Sequence, residues 1–210
     1  MQYSSYGELE LLATAQSLLI LLIVLFFNLP QRQLPPTTHR PTDAELLVQV
    51  WGVTQALAAT GLFLDQESGN ITPPWRSWAI AAAKRRTILA LHHVEWAWSL
   101  LHGYPELTCF ELGPLPAPSP GFLWREEDEA RWEELYRGWL RRWPTGSYKM
   151  RELFRAGSGD GLGVRGEMWL AEADEFGMIV AAERKSRLFS SFRLSSKLMV
   201  YEVNAVDDVG

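Results

Sequence analysis

Apolar residues recur at helical spacing along most of this chain. The clearest case lies between Glu126 and Trp143, where the first turn is acidic and Arg141 and Arg142 fill the last, as the helix dipole favours. Pro144 cannot continue the hydrogen-bond ladder and ends the pattern. The spacing i, i+3, i+4, i+7 predicts an amphipathic helix with one apolar face, made of Trp132, Leu135, Tyr136, Trp139, Leu140 and Trp143.

Two longer apolar segments precede it. One begins at Trp75 or Ser77, after Pro73-Pro74, and runs to Leu101. It is apolar around most of its circumference, so we expect it to be central in a bundle. The other begins with Thr42 or Asp43 as its cap and ends in the sequence DQESGN. Its predicted apolar face comprises Leu47, Val50, Trp51, Leu57, Ala58, Gly61 and Leu62.

The N-terminal helix predicted from Leu9 to Phe27 has three interpretations. Its unbroken apolar run, Leu18 to Phe27, stays uncharged when it is extended back to Leu11. A buried core helix is favoured, because a helix that spans a bilayer needs about 20 apolar residues and the unbroken run is shorter than that. A membrane anchor is the second interpretation. A cleaved signal peptide is the third interpretation. It is disfavoured, because the acidic residues Glu8 and Glu10 precede the apolar run, where a signal peptide carries basic residues.

Two proline-rich stretches separate the helices. Residues 28–41 contain four prolines and predict a surface linker, whereas residues 103–124 contain five and predict an extended connection across the bundle surface. The second stretch offers Phe110, Leu112, Leu115 and Trp124 as docking side chains. Beyond the helix that ends at Pro144 we expect a helix over residues 148–156, a glycine-rich loop over 157–166 and a helix over 167–187. Residues 189–201 fit either helix or strand.

The predicted fold class is therefore all-α, an irregular helical bundle with long proline-rich connections. We divide the chain into an N-terminal apolar helix packed on the bundle (1–28), a linker (29–42), a helical core (43–187) and a C-terminal tail (188–210).

Charge and cysteine content narrow the function classes. The formal net charge is −5, which disfavours nucleic-acid binding, because phosphate neutralisation normally requires a basic excess. The short basic clusters Lys84 to Arg86 and Arg184 to Arg187 are interpreted as solvated helix faces. The single cysteine, Cys109, excludes an intramolecular disulfide and multi-cysteine zinc sites, and it favours a reducing compartment.

Four groups of residues have side chains of the kinds found in reactive sites. His92, Glu95 and His102 share a helix face, but His92 and His102 lie ten residues, or about 15 Å, apart, too far for one metal ion. At most His92 and Glu95 could share an ion, and a polar seam along the helix is the preferred interpretation. Cys109 has no base within local reach.

The other two groups also have simpler explanations. The sequence Gly161 to Gly166 matches G-x-G-x-x-G, but it follows a predicted helix rather than a strand, so we interpret it as a plain loop. The acidic residues 126–129 fit the solvated first turn of a helix. We therefore assign no catalytic, cofactor-binding or metal-binding residue, and we do not expect an enzyme.

Four segments together resemble the regulatory domain of fungal zinc-cluster and zinc-finger transcription factors. They are Glu10 to Phe27, Trp75 to Leu107, Phe110 to Tyr136 and, more weakly, Ala171 to Ala182. Within them the family features are matched by the cluster Lys84, Arg85, Arg86 and Thr87, by Gly103 and Pro105, and by Glu111, Leu112, Leu115, Pro116, Pro118, Leu123, Trp124 and Trp132.

The resemblance implies a fragment or truncated form of a transcription regulator, acting in the nucleus through protein–protein contacts. In the family such regulators often serve metabolic or secondary-metabolite gene clusters. Its partner would be another protein or the DNA-binding part of a longer factor. The chain carries no cysteine-rich module, so the resemblance implies no direct DNA contact. A single-span membrane-anchored protein is the alternative.

Overall fold

All regular secondary structure in the described part of the chain is helical, which confirms the all-α prediction. The computed structural model describes residues 6–27, 41–102, 112–156 and 161–182. Within those ranges nine helices follow one another: α1 (Glu8–Phe27), α2 (Pro41–Ala59), α3 (Asp65–Ser68), α4 (Trp75–His102), α5 (Gly121–Trp124), α6 (Glu129–Arg142), α7 (Met150–Arg155), α8 (Gly163–Glu172) and α9 (175–182).

One group of buried side chains joins α1 and α2 to one side of α4. We call it the N-terminal core, and it comprises Leu11, Leu12, Ala15, Leu22, Phe26, Val50, Val53, Leu57, Ile88, Leu91, Val94 and Trp98. Phe26 stacks on Trp98 with ring centroids 4.0 Å apart. Val50, Val53 and Leu57 follow helical spacing and define the buried face of α2. Trp51 lies off that face and is 59% exposed, which corrects its predicted place among the buried positions.

A second group of buried side chains forms the C-terminal core around the aromatic face of α6. Its members are Trp78, Ala82, Leu89, Leu115, Ala117, Leu123, Trp132, Tyr136, Trp139, Trp143, Tyr148, Met150, Leu153, Trp169 and Val180. The predicted apolar face of α6 is confirmed, because Trp132, Tyr136, Trp139 and Trp143 are all buried. Since α4 contributes to both cores, its predicted central position is confirmed as well.

The proline-rich segment after α4 enters the C-terminal core, so the prediction of a surface connection is wrong for residues 115–120. Leu115, Ala117 and Leu123 are buried, and residues 121–124 form a helical turn. The segment pairs with the start of α7, since the Ala117 amide donates to the Tyr148 carbonyl at 2.8 Å and the Met150 amide to the Leu115 carbonyl at 2.9 Å. These backbone bonds allow a proline-rich chain to be buried with its polar groups satisfied. Phe110 and residues 29–40 of the predicted linker 29–42 lie outside the described residues, and residues 41 and 42 belong to α2 instead.

Several predicted boundaries require correction. Helix α2 begins at Pro41, a residue suited to a first helical position, and it ends at Ala59. Helix α6 begins at Glu129, with the Asp128 carboxylate accepting the Arg131 amide at 2.7 Å. The single helix expected over 167–187 is instead two helices, α8 and α9, separated at residues 173–174. The predicted tail 188–210 lies outside the described residues.

Helix α1 is buried on one face only. By length and composition it could cross a membrane, and within the described residues it is the one helix that could. The helix packs on α2 and α4, but only 28% of its most apolar stretch is buried, so it is less buried than the predicted core helix. The exposed face carries Leu9, Ile20, Leu21, Ile23, Val24 and Leu25.

Candidate functional site

Three consecutive basic residues on α4 bind other segments of the chain to that helix. Lys84 and Arg85 are 2% and 5% exposed, and the Arg86 guanidinium is mostly buried. The interpretation of this cluster as a solvated helix face is therefore wrong. Burial of a cation is tolerated when it is paired and hydrogen-bonded, and each of the three has such partners. We call Lys84, Arg85 and Arg86 the basic clasp.

Lys84 joins α1 to the turn after α2. Its ammonium Nζ donates to the Glu8 carboxylate at 2.6 Å, to the Thr60 hydroxyl at 3.2 Å and to the Gly61 carbonyl. The left-handed backbone of Gly61, at φ +94°, suits a residue without a Cβ and turns its carbonyl into this cluster. One buried cation thus fixes the start of α1 against the middle of α4.

Arg85 holds the connection between α2 and α4. Its Nε donates to the Leu62 carbonyl at 2.7 Å, and its two terminal nitrogens form a fork with the Glu67 carboxylate in α3. The paired side chains are 7% and 12% exposed. The short helix α3 is therefore held by a two-pronged ion pair rather than by apolar burial of its own.

Arg86 reaches in the opposite direction, to the C-terminal part of the chain. One of its terminal nitrogens donates to the Asp174 carboxylate at 2.6 Å and to the Ser119 carbonyl at 3.2 Å. The guanidinium lies over the Trp124 ring, 4.4 Å from its centroid. Burial lowers the pKa of Arg86, and the hydrogen bond and charge of Asp174 oppose that shift.

A small cavity of about 40 Å³ lies beside Arg85 and Arg86 in the C-terminal core. We call it the aromatic cavity. Its lining residues include Glu67, Asn70, Ser119 and Glu172. Burial raises the pKa of the Tyr136 phenol, so this hydroxyl stays neutral over the working pH range. The aromatic part of the wall consists of Trp78, Tyr136, Trp139, Trp143, Tyr148 and Trp169.

Glu172 organises one side of this cavity. Its carboxylate accepts the indole N–H groups of Trp139 and Trp143, each at 3.2 Å, and the Arg142 Nε at 2.9 Å. The indole of Trp169 donates to the Pro118 carbonyl at 3.0 Å. Three of the tryptophan rings are therefore held in place by hydrogen bonds as well as by packing.

No family model, curated protein or solved structure matches this chain.

The structure places the proposed metal candidates apart from this cavity. His92 and Glu95 lie on the middle of α4, both half-buried, and burial raises the pKa of the Glu95 carboxyl while the His92 charge opposes that shift. Within the described residues no group of three or more histidine, cysteine or acidic side chains has a geometry that could hold a metal ion. The side chain of His102 and all of Cys109 lie outside the described residues.

The glycine motif is only partly a loop. Gly161 and Gly163 have φ angles of +70° and +61°, but α8 begins at Gly163, four residues before the predicted start at residue 167. Helix α7 precedes the motif, as predicted. The acidic residues Glu126 and Glu127 precede α6 and are not part of its first turn, and the Glu126 carboxylate accepts the backbone amides of Glu127 and Asp128.

The aromatic cavity and the basic clasp were both missed in the sequence. One signal for the clasp was available, because Lys84, Arg85 and Arg86 are consecutive, and three consecutive helix residues span about 200° and cannot all lie on one solvated face. No comparable signal pointed to the cavity, whose wall comes from helices far apart in sequence.

Proposed function

We propose that this chain is a helical regulatory domain of a transcription regulator, of the kind found in fungal zinc-cluster factors. It acts in the nucleus through protein–protein contacts and does not read DNA itself. In this proposal the domain catalyses no reaction. Regulation of a metabolic or secondary-metabolite gene cluster is part of the same proposal, and it rests on the resemblance alone.

The observation that carries the proposal is the set of segments joined by the basic clasp. Lys84 contacts Glu8 at the start of α1, and Arg86 contacts both the Ser119 carbonyl and Asp174. Glu8 lies just before the first resembling segment, Glu10 to Phe27, whose side chains pack on α4 in the N-terminal core. The other three resembling segments contain the clasp, Ser119 and Asp174, and Arg86 joins them. The segments that resemble the family therefore contact one another in the folded chain, as the parts of a single regulatory domain would.

The exposed face of α1 supports a role in protein contacts. Ile20 and Leu21 are 62% and 65% exposed, and Trp51 on the neighbouring α2 is 59% exposed. An exposed apolar surface of this kind marks an interaction site, and tryptophan is enriched where partners bind strongly. The proposed occupant is an apolar protein surface, either a partner or the remainder of a longer regulator.

A reporter experiment tests this function. The full chain is fused to a heterologous DNA-binding domain, and transcription from its operator is measured against the DNA-binding domain alone. We expect the fusion to change reporter output, and Ile20→Gln with Leu21→Gln to abolish the change. The matched control is Val164→Gln, which alters a 75% exposed apolar residue on α8. Output that never differs from the DNA-binding domain alone would contradict the proposal.

The reading frame upstream of Met1 offers an independent test. Sequencing of full-length transcripts should reveal a cysteine-rich DNA-binding module there, or affinity purification should recover a partner that carries one. If neither is found, the link to DNA is refuted.

A single-span membrane protein is the second candidate, and the mostly exposed apolar length of α1 favours it. The Lys84–Glu8 pair argues against it, because withdrawing α1 would leave the buried Lys84 without its carboxylate. Cell fractionation separates the two candidates. Release of the chain by carbonate without detergent would exclude the membrane span, whereas retention until detergent is added would exclude the regulator.

A further inference from the structure

Lys149 lies where the proline-rich segment meets the start of α7, and its backbone is held by hydrogen bonds on both sides. The preceding Tyr148 carbonyl accepts the Ala117 amide at 2.8 Å, and the Lys149 amide donates to the Glu152 carboxylate at 2.9 Å. The Lys149 side chain therefore starts from a fixed point of the fold. It is half-buried, so solvent still reaches part of it.

Two carboxylates act on the charge of the Lys149 side chain, and both are already committed to arginines. The Glu67 carboxylate forms the two-pronged ion pair with Arg85. The Glu152 carboxylate accepts from Arg165, from Nε at 3.0 Å and from a terminal nitrogen at 3.2 Å. Among the described residues the Lys149 ammonium consequently has neither a hydrogen bond nor an ion pair.

Two cations act on the same ammonium. Arg85 is buried in the basic clasp, and Arg151, two residues further along the chain, is exposed. Burial lowers the pKa of the Lys149 amine, the charge of Glu67 opposes that shift, and the charges of both arginines add to it. A lysine becomes nucleophilic when it is desolvated or lies beside another cation, because both raise the fraction of neutral amine. Lys149 meets both conditions.

We propose that Lys149 is an acylation site, at which the amine takes an acetyl group from an acetyl thioester. The ammonium first loses a proton to solvent. The neutral amine then attacks the thioester carbonyl carbon, so a C–N bond forms and the C–S bond breaks. The thiol leaves with a proton from the amine, and an uncharged amide remains. An uncharged group suits a half-buried position without a counterion. The proposal is independent of the function proposed above, since it depends only on the surroundings of Lys149.

Site-resolved acetylation tests the proposal. The full chain is incubated with acetyl-coenzyme A and cleaved with chymotrypsin, and mass spectrometry gives the acetylation rate of each of its four lysines. The reference for each lysine is its own rate in the chain unfolded in guanidinium chloride. We expect Lys149 to react at least about threefold faster in the folded chain than in the unfolded one. Lys84, buried and paired with Glu8, is the internal control and should react at least about tenfold more slowly when folded.

The pH profile of the same rate separates an activated amine from one that is merely accessible. The rate follows the fraction of neutral amine, which levels off above the pKa. The rate at Lys149 should therefore level off at a lower pH in the folded chain than in the unfolded chain. A folded rate equal to or below the unfolded rate, or a profile that unfolding does not move, would overturn the proposal.

Two arginine variants test the influence of the neighbouring charge. Arg151→Gln removes a cation that acts on Lys149, so acetylation of Lys149 in the folded chain should slow by about twofold or more. The matched control is Arg141→Gln, which alters an exposed arginine in the last turn of α6 and should leave the rate at Lys149 unchanged. Equal rates at Lys149 in the wild type and in the Arg151→Gln variant would contradict activation by the cationic surroundings.

Discussion

The Arg86 guanidinium on α4 donates to the Asp174 carboxylate at 2.6 Å, across 88 residues of sequence. The two side chains are 13% and 4% exposed. The other Asp174 carboxylate oxygen accepts the Gly177 amide at 2.9 Å, at the first turn of α9. One buried ion pair therefore orients the last described helix against the central one.

We expect Asp174→Asn to lower the free energy of unfolding by about 3–5 kcal/mol, because it leaves the buried Arg86 without its counter-charge. The control is Arg137→Gln, which breaks the exposed pair with Glu133 in α6 and should cost less than about 1 kcal/mol. Urea denaturation measures both. Equal losses in the two variants would show that the Arg86–Asp174 pair contributes no more than a surface contact.

Two tryptophans test which faces of α6 and α2 are buried. Trp139 is buried in the C-terminal core and Trp51 is largely exposed on α2. Trp139→Ala should cost about 3–5 kcal/mol, the usual cost for a large buried aromatic. Trp51→Ala should cost less than about 1 kcal/mol by the same denaturant measurement. A loss below 1 kcal/mol for Trp139→Ala would place that face of α6 in solvent.

A pair of glycines should respond to alanine with opposite signs. A Cβ on Gly166 would lie 2.9 Å from the Tyr148 hydroxyl oxygen and 3.0 Å from the Leu162 Cβ, so Gly166→Ala should destabilise the fold by about 1–3 kcal/mol. At Gly138, in α6, the nearest atom would be an Arg141 side-chain nitrogen at 3.7 Å. Gly138→Ala should therefore stabilise the fold by about 0.5–1 kcal/mol through helix propensity. Thermal melts that shift in the same direction would contradict this packing.

The free energy of unfolding should depend on pH through the ionisation of Glu95. Burial raises the pKa of this carboxyl in the folded state, so the folded chain holds the proton more tightly than the unfolded chain. The stabilisation that comes from this tighter proton binding is fully present below the pKa of Glu95 in the unfolded chain. It is lost as the pH rises through the pKa of Glu95 in the folded chain. Glu95→Gln should be more stable than the wild type at pH 8, and the difference should vanish near pH 4. Glu167→Gln, at an exposed position on α8, is the control, and a pH-independent difference for Glu95→Gln would refute the argument.

The sequence predicted the helices better than it predicted the contacts between distant segments. The face of α6 follows from periodicity, because a repeating apolar pattern specifies which side of a helix is buried. The central place of α4 follows from its apolar residues, which surround most of the helix. The burial of Lys84 does not follow from periodicity, since its partners Glu8 and Thr60 are brought to it only by the packing of α1 and α2. The buried course of residues 115–120 depends likewise on backbone bonds to a distant segment. The aromatic cavity combines side chains from several helices, and no local pattern encodes that arrangement.

The basic clasp binds four segments to α4, namely α1, the connection between α2 and α4, and the segments that contain Ser119 and Asp174. Hydrogen–deuterium exchange with peptide resolution, on the wild type and on Lys84→Met and Arg86→Met, tests it most directly. We predict that Lys84→Met loses protection chiefly in α1 and that Arg86→Met loses it chiefly in α9, because each cation holds its own segment. Unchanged protection in both variants, or the same peptides affected in each, would contradict the claim.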